Sequence, residues 1–130
     1  MDPIANMLTM IRNAQAVNKE TVKVPYSLMK HGIAELLVKQ GFVTSVEKKE
    51  KKDTKPYLVI DLKYFEGGRG AITNARRIST PGRRMYAGAA DLKEVKGGHG
   101  SSIISTSKGL MTGNDAKKSG LGGEIVCEIW

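Results

Sequence analysis

A single cysteine, Cys127, stands among 130 residues, so neither an intrachain disulfide nor a multi-cysteine metal site can be built. A reducing compartment suits such a chain. Histidine occurs only at His31 and His99, without metal-ligand spacing or companion cysteines, and no metal or other cofactor is expected. Aromatic residues make up 5% of the chain, little material for a surface that stacks many rings. The opening "MDPIANMLTMIRNAQ" carries Asp2 early and a polar residue every few positions. That is the pattern of neither a signal peptide nor a membrane span, and cytoplasmic residence is the default expectation.

The most informative absence is of acid. No Asp or Glu occurs from Gly67 to Ala90, yet five of the six arginines (Arg69, Arg76, Arg77, Arg83, Arg84) lie there within sixteen residues. Over the whole chain, 21 Lys and Arg face 13 Asp and Glu, a net charge of +8. A field of that sign gathers polyanions, nucleic acid most commonly and an anionic membrane surface second. Lysine is sorted elsewhere, with five between Lys48 and Lys55. Arginine's planar fork makes directed, bidentate bonds to phosphate, whereas lysine is a hydrated point charge. With nothing local to neutralise it, the arginine window reads as a backbone-positioning surface. The lysine run reads as a solvated hairpin tip or a looser electrostatic contact.

What is present makes one domain or two small ones, with 40% hydrophobic residues for a core. Asp2 as N-cap and Pro3 at the first helical position start a helix with Ile4, Met7, Leu8 and Ile11 on one face. "ETVKVPY" is a short strand with Val22 and Val24 on one side. Ser27 can cap a second helix whose inner stripe is Met29, Ile33, Leu36 and Leu37, with Lys30 and Lys39 off it, and Gly41 takes the positive-φ position at its end. "FVTSVEKKE" and "YLVIDLKYF" are strands joined by the lysine tip, the second alternating Leu58, Ile60, Leu62 and Tyr64 with Val59, Asp61 and Lys63. "EGGRG" at Glu66–Gly70 marks a boundary. Beyond it, "AITNARRIS" reads as a strand, "TPGRR" as a turn and "DLKEV" as at most a short helical turn. "SSIISTS" and "GLMT" are extended pieces, "NDAKKSG" a helical turn capped by Asn114, and "GGEIVCEIW" a strand with Ile125, Cys127 and Ile129 on one side. The expected fold is α+β: a helix–strand–helix–strand–strand module over 1–66, packed on a mostly β module over 67–130 with a short helical turn.

The stretch "IISTSKGLMTG" has three readings. Ser105 and Lys108 satisfy S-x-x-K, the signature of a serine–lysine hydrolase, and Lys118-Ser119-Gly120 resembles its K-T-G box. However, the serine follows a strand, the S-D-N element is missing, and such enzymes are about twice this length. A nucleotide phosphate loop needs glycine before lysine and a helix after, and here the order is reversed. The third reading is a rigid polar loop that recognises nucleic acid. Its hydroxyls suit ribose 2′-OH groups and minor-groove base edges, Lys108 meets phosphate, and Gly109 permits close approach. Against it stands a plain β-turn whose hydroxyls satisfy local N–H groups.

The runs "DPIANMLTMIRNA", "ISTSKGLMT" and "AKKSGLGGEIVCEIW", in this order, resemble the bacterial S-eight family of small-subunit ribosomal proteins over essentially the whole chain. The resemblance implies a non-enzymatic structural component of the small subunit. It would bind an irregular stem in the central domain of small-subunit ribosomal RNA, assist assembly, and sit beside neighbouring ribosomal proteins. Members can also repress translation of their own operon by binding a similar stem in messenger RNA. No membrane and no small-molecule substrate are implied. The matching positions Ser105, Thr106, Ser107, Lys108 and Gly109 would face the RNA minor groove, with Gly122, Gly123 and Glu124 beside them, and "PGRRMY" would bring Arg83, Arg84 and Tyr86. In one place the chain departs from the family pattern. "GGHGSSII" puts His99 and Ser101 where the family is apolar, which leaves packing under that strand in question.

Each candidate also has a plainer role. Tyr86 can stack on a base, worth about 1–3 kcal/mol, or be a surface tyrosine. Glu124 can orient a hydroxyl or accept from a base amine, or decorate a strand. Lys30 can touch phosphate from the second helix. Cys127 and the methionines read as core, and Trp130 as an apolar plug.

Overall fold

Asp2 starts the first helix as an acceptor. Its carboxylate takes the N–H groups of Ile4 (3.2 Å) and Ala5 (3.1 Å), donors that a helix start leaves unpaired. The helix, α1, runs Pro3–Ala16 and buries Ile4, Met7, Leu8 and Ile11, the stripe expected from their spacing. It stops at Asn18, φ +56°, where the N–H groups of Asn18 and Lys19 donate to the carbonyls of Gln15 and Ala14. That is a Schellman ending with asparagine in the position usually held by glycine. The computed structural model describes residues 2–130. Two compact units divide it: Asn6–Ile72, and the described residues before Asn6 with Thr73–Trp130.

In the first of these units, β1 (Thr21–Pro25), α2 (Leu28–Lys39), β2 (Val43–Lys49) and β3 (Tyr57–Leu62) follow α1. The sheet is antiparallel with β3 central, in the order β1-β3-β2. Leu58, Ile60 and Leu62 of β3 are buried as their alternation requires. Ser27 caps α2, its hydroxyl accepting from the Lys30 N–H at 3.1 Å, and Gly41 closes it at φ +82°. The inner face of α2 differs from expectation. It is Lys30, Ile33, Ala34 and Leu37, at offsets of three, four and seven, while Met29 is exposed and Leu36 half-buried. Lys30 is only 8% exposed because its aliphatic stem packs inward while the ammonium donates to the Pro25 carbonyl at 3.3 Å. Met10 is likewise at the surface rather than in the core. The Gln15 side-chain amide pairs with both backbone groups of Ile72, at 2.5 and 3.2 Å. Gly70 lies against it, and a Cβ there would have to displace the Gln15 side chain.

The second unit holds β4 (Ala75–Arg77), β5 (Tyr86–Ala87), β6 (Ser101–Thr106), β7 (Gly109–Thr112), α3 (Gly113–Lys118) and β8 (Gly123–Ile129). Its antiparallel sheet runs β4-β8-β6-β7, and β5 also pairs with β8. "AITNARRIS" pairs as a strand only over Ala75–Arg77. Beyond it the N–H groups of Ile78 and Ser79 still donate to the carbonyls of Val126 and Ile125. Of "DLKEV", only Asp91 lies in a helical turn. Two 3-10 turns, Ala89–Asp91 and Lys96–Gly98, flank a segment that buries Leu92 and Val95. The cap of α3 is Thr112 rather than Asn114, its hydroxyl accepting from the Asp115 N–H at 3.2 Å. The departures at "GGHGSSII" are absorbed: His99 is exposed, Ser101 half-buried, and Ser102, Ile103 and Ile104 fill the space beneath. The Trp130 plug is half-buried, with the Lys96 ammonium 4.7 Å from its ring centre.

One irregularity reorders β8. Ile104 of β6 pairs with Ile125, but Ile103 pairs with Cys127, so Val126 is an extra residue in the ladder. A bulge of this kind reverses the facing of everything beyond it. Ile125 therefore joins Ile104, Met111, Ala87, Leu92 and Ala116 in one cluster, while Cys127 and Ile129 turn to the other face. The sequence-based placing of all three on one side is corrected accordingly.

Two expectations follow. Burial pushes the Cys127 thiol from its ordinary value near 9 to about 12. The neutral thiol then favours the folded state fully below about pH 9 and progressively less toward pH 12, where only the unfolded chain ionises it readily. Native protein at pH 8 should resist a thiol reagent that labels guanidinium-unfolded protein stoichiometrically. The wild type should also lose stability more steeply above pH 9 than Cys127→Ala, and parallel curves would contradict this. Second, Asp2 also receives the Arg77 Nε at 3.1 Å, both side chains being largely buried. Asp2→Ala should cost about 2–4 kcal/mol in urea unfolding, and Asp2→Asn, which keeps a capping oxygen, clearly less. Equal losses would show that the cap adds nothing beyond the ion pair.

Candidate nucleic-acid interface

The tip between β6 and β7 is a tight hairpin. Thr106 pairs with Gly109, which leaves Ser107 and Lys108 as the exposed turn residues. The Thr106 hydroxyl donates to the Gly109 carbonyl at 2.8 Å and accepts from the Lys108 N–H at 3.1 Å. Gly109 has φ +103°, a conformation L side chains disfavour. The competing readings of this loop therefore divide residue by residue. Thr106 is the locally satisfied turn hydroxyl, whereas the hydroxyls of Ser105 and Ser107 make no hydrogen bond among the described residues. Nor does a hydrogen bond join Ser105 to Lys108, as a serine–lysine nucleophile would need.

The sheet next to the tip carries a row of cross-strand neighbours. Tyr86 on β5 pairs with Glu124 on β8, Glu124 with Ser105 on β6, and Ser105 with Leu110 on β7. Directly opposed residues share a face. The adjacent row, Ile125–Ile104–Met111, belongs to the buried cluster on the opposite face. Alternation thus presents Tyr86, Glu124 and Ser105 together on the other side. Tyr86 is 70% exposed. Strands β8 and β6 come exceptionally close here: a Cβ on Gly123 would run into the Ser105 carbonyl, and one on Gly122 would lie 2.5 Å from the Ala87 carbonyl.

The arginine window does not survive folding as a block. Arg84 lies against this row, its Nη1 3.1 Å from Glu124 Oε2. Arg83 is exposed at the end of the same turn, which is closed by reciprocal N–H···O bonds between Thr80 and Arg83. Arg76 pairs with Glu128 at 2.7 Å. The bulge at Val126 puts Glu128 on the opposite face from Glu124, and Arg76 goes with it. Arg77 is largely buried between Asp2 and the Val126 carbonyl, and Arg69 falls in the other unit, 5.5 Å from the Phe65 ring. Three of the five guanidinium groups thus meet carboxylates from distant parts of the sequence, which corrects the reading of an unneutralised patch. Lys30 also belongs to the other unit, buried as described above.

Comparison with known proteins gives this arrangement a context. The family model described as ribosomal protein S8 matches residues 2–130. The chain belongs to the ribosomal protein S8 family. It is 52% identical over 130 residues to the small ribosomal subunit protein uS8 of Caldanaerobacter subterraneus subsp. tengcongensis, covering 99% of this chain and 97% of that one. The uS8 protein of Acidithiobacillus ferrooxidans is 48% identical over 128 residues, with 98% and 96% covered. That of Thermus aquaticus is 46% identical over 136 residues, with 99% and 98% covered. Family membership over the full length makes this a structural ribosomal protein and not an enzyme, and the hydrolase alternative is set aside.

Within the S8 fold, Ser105, Ser107, Lys108, Tyr86, Arg84 and Glu124 come together around one end of β6 and β8, while Gly109 and Gly123 serve the backbone. The residue that sequence reasoning missed is Ser79, wholly buried and bonded beneath the Arg83–Arg84 turn. Its only signal was its place one residue before "TPGRR". Because the Gly123 position faces backbone rather than a flexible side chain, Gly123→Ala should lower the melting temperature markedly in the RNA-free protein. An unchanged melting temperature would show that β8 shifts away at no cost.

Proposed function

We propose that Tyr86, Glu124 and Ser105, the hairpin tip Ser107–Lys108 and the turn Arg83–Arg84 form the surface that binds small-subunit ribosomal RNA. The target is an irregular stem of the central domain, met from its minor-groove side. In this role the protein helps to fix the stem's shape during subunit assembly, beside neighbouring ribosomal proteins, in the cytoplasm. A similar stem in the messenger RNA of its own operon would be bound by the same surface, making the protein a translational repressor.

The observation that carries the reading is the Tyr86–Glu124–Ser105 row, with Tyr86 exposed and Glu124 and Ser105 half-buried, about two residues (~7 Å) along β6 from the tip. A-form RNA hides its base edges in a deep, narrow major groove and shows 2′-hydroxyls across a wide, shallow minor groove. A stiff turn ending in one hydroxyl and one ammonium fits that shallow side, with the ammonium at phosphate and the hydroxyl at ribose or base. Tyr86 offers a ring for an unstacked base, which an irregular stem supplies and a regular duplex does not. Glu124, held by Arg84, presents an acceptor without an uncompensated charge facing the RNA.

The test is binding of the purified protein to small-subunit ribosomal RNA, with footprinting to locate the stem. Ser107→Ala should weaken the specific stem by about 1–3 kcal/mol, the size of a desolvated directed hydrogen bond, and leave binding to an unrelated duplex nearly unchanged. Equal losses on both RNAs would reduce the tip to generic contact.

A further inference from the structure

We propose that Ser79 is a positioning residue for this surface: its buried hydroxyl fixes the turn that presents Arg83, Arg84 and Tyr86. The proposal rests on the RNA-binding reading above. The Ser79 N–H donates to the Ile125 carbonyl at 3.0 Å, so the backbone of Ser79 is anchored to β8. Its side chain, fully buried, then meets both backbone groups of Met85: Oγ accepts from the Met85 N–H at 2.8 Å and donates to the Met85 carbonyl at 3.1 Å. The same carbonyl also accepts from the Ile125 N–H at 2.9 Å. One hydroxyl therefore closes the base of the 80–84 loop, above which the Thr80–Arg83 pair closes the tip.

This arrangement matters because the tip of the loop is solvent-exposed and its placement is set at its base. Residues 81–84 are all exposed, and Gly82 has no heavy atom within 4 Å of where a Cβ would stand. Arg84 and Tyr86 flank Met85 on either side. Any shift of Met85 displaces the guanidinium from Glu124 and the ring from its row with Ser105. Among the side chains, only one that can both donate and accept within a buried, serine-sized space does this work. Alanine would leave the Met85 N–H facing the space the hydroxyl had filled, without its acceptor.

The test compares Ser79→Ala and the near-isosteric Ser79→Cys with Arg83→Ala/Arg84→Ala, alone and combined, on a stem of small-subunit ribosomal RNA. In folded Ser79→Ala protein, affinity should fall about tenfold, with Ser79→Cys intermediate. Added to the double arginine variant, Ser79→Ala should cost clearly less than tenfold, because of the three groups it positions only Tyr86 remains. A purely structural role would give the same loss in both backgrounds, and that result would overturn the proposal. If the arginine variant binds as well as wild type, the RNA-binding surface itself is misassigned. If it weakens binding while folded Ser79→Ala and Ser79→Cys do not, only the role of Ser79 fails. Amide exchange in the unmodified protein provides a reading that needs no variant. The Met85 N–H should be protected to the same degree as that of Ile125, and rapid exchange would overturn the proposal.

Discussion

The second unit depends on how β8 meets its neighbours. This strand pairs with β6 along one edge and with β4 and β5 along the other, so its register sets every position on that sheet. Two features fix the register. At one end the missing side chains of Gly122 and Gly123 let β8 approach the backbones of Ala87 and Ser105 closely. Further along, the bulge at Val126 turns the remainder over, sending Cys127 and Ile129 to one side after Ile125 has gone to the other. A single-residue change of register would reverse the faces of a paired strand. The row of Tyr86, Glu124 and Ser105 exists because the register holds at Gly123 and changes only after Ile125.

The same strand decides the electrostatics. Read linearly, the stretch from Gly67 to Ala90 is pure cation, but Glu124 and Glu128 are four residues apart on β8 and emerge on opposite faces. Each takes one arginine, and Asp2 takes another. An exposed pair of this kind contributes little to stability, so the pairing with Glu124 is better understood as holding Arg84 in place than as cementing the fold. The net charge of +8 remains and still draws a polyanion toward the protein at long range. Among the described residues, the side chains of the proposed surface not already paired within the protein are those of Tyr86, Arg83, Lys108, Ser105 and Ser107.

The elements whose cause is local were legible in the sequence. The Asp2–Pro3 helix start, the Ser27 cap, the glycine ending at Gly41 and the alternation of β3 each follow from side chains within a few residues of where they act. What was not legible depends on backbone geometry that only the folded chain sets, even where the partner is close in sequence. Lys30 turns inward because the Pro25 carbonyl waits for its ammonium. Thr112 takes over the cap of α3 because β7 delivers it there in extended form, one residue before the helix and three before Asp115. The bulge at Val126 leaves no mark in "GGEIVCEIW", which alternates well enough to read as a regular strand. Of the candidate site, the tip and the tyrosine were readable from motif and resemblance. The dispersal of the arginines and the burial of Ser79 were not, since both need the sheet to be assembled first.

The division of labour among the hydroxyls follows from this. A loop that recognises an irregular surface must be stiff, because freedom lost on binding subtracts from affinity. Here stiffness comes from hydroxyls that face inward. Thr106 ties the tip across to Gly109, and Ser79 ties the arginine turn to Met85. Those two have satisfied their hydrogen bonds within the protein and have little left to offer a ligand. Ser105 and Ser107, one position to either side of Thr106 along the hairpin, keep theirs. Similar side chains thus do opposite jobs, and only the register of the strand on which each stands separates the hydroxyls that build the surface from those that can read with it.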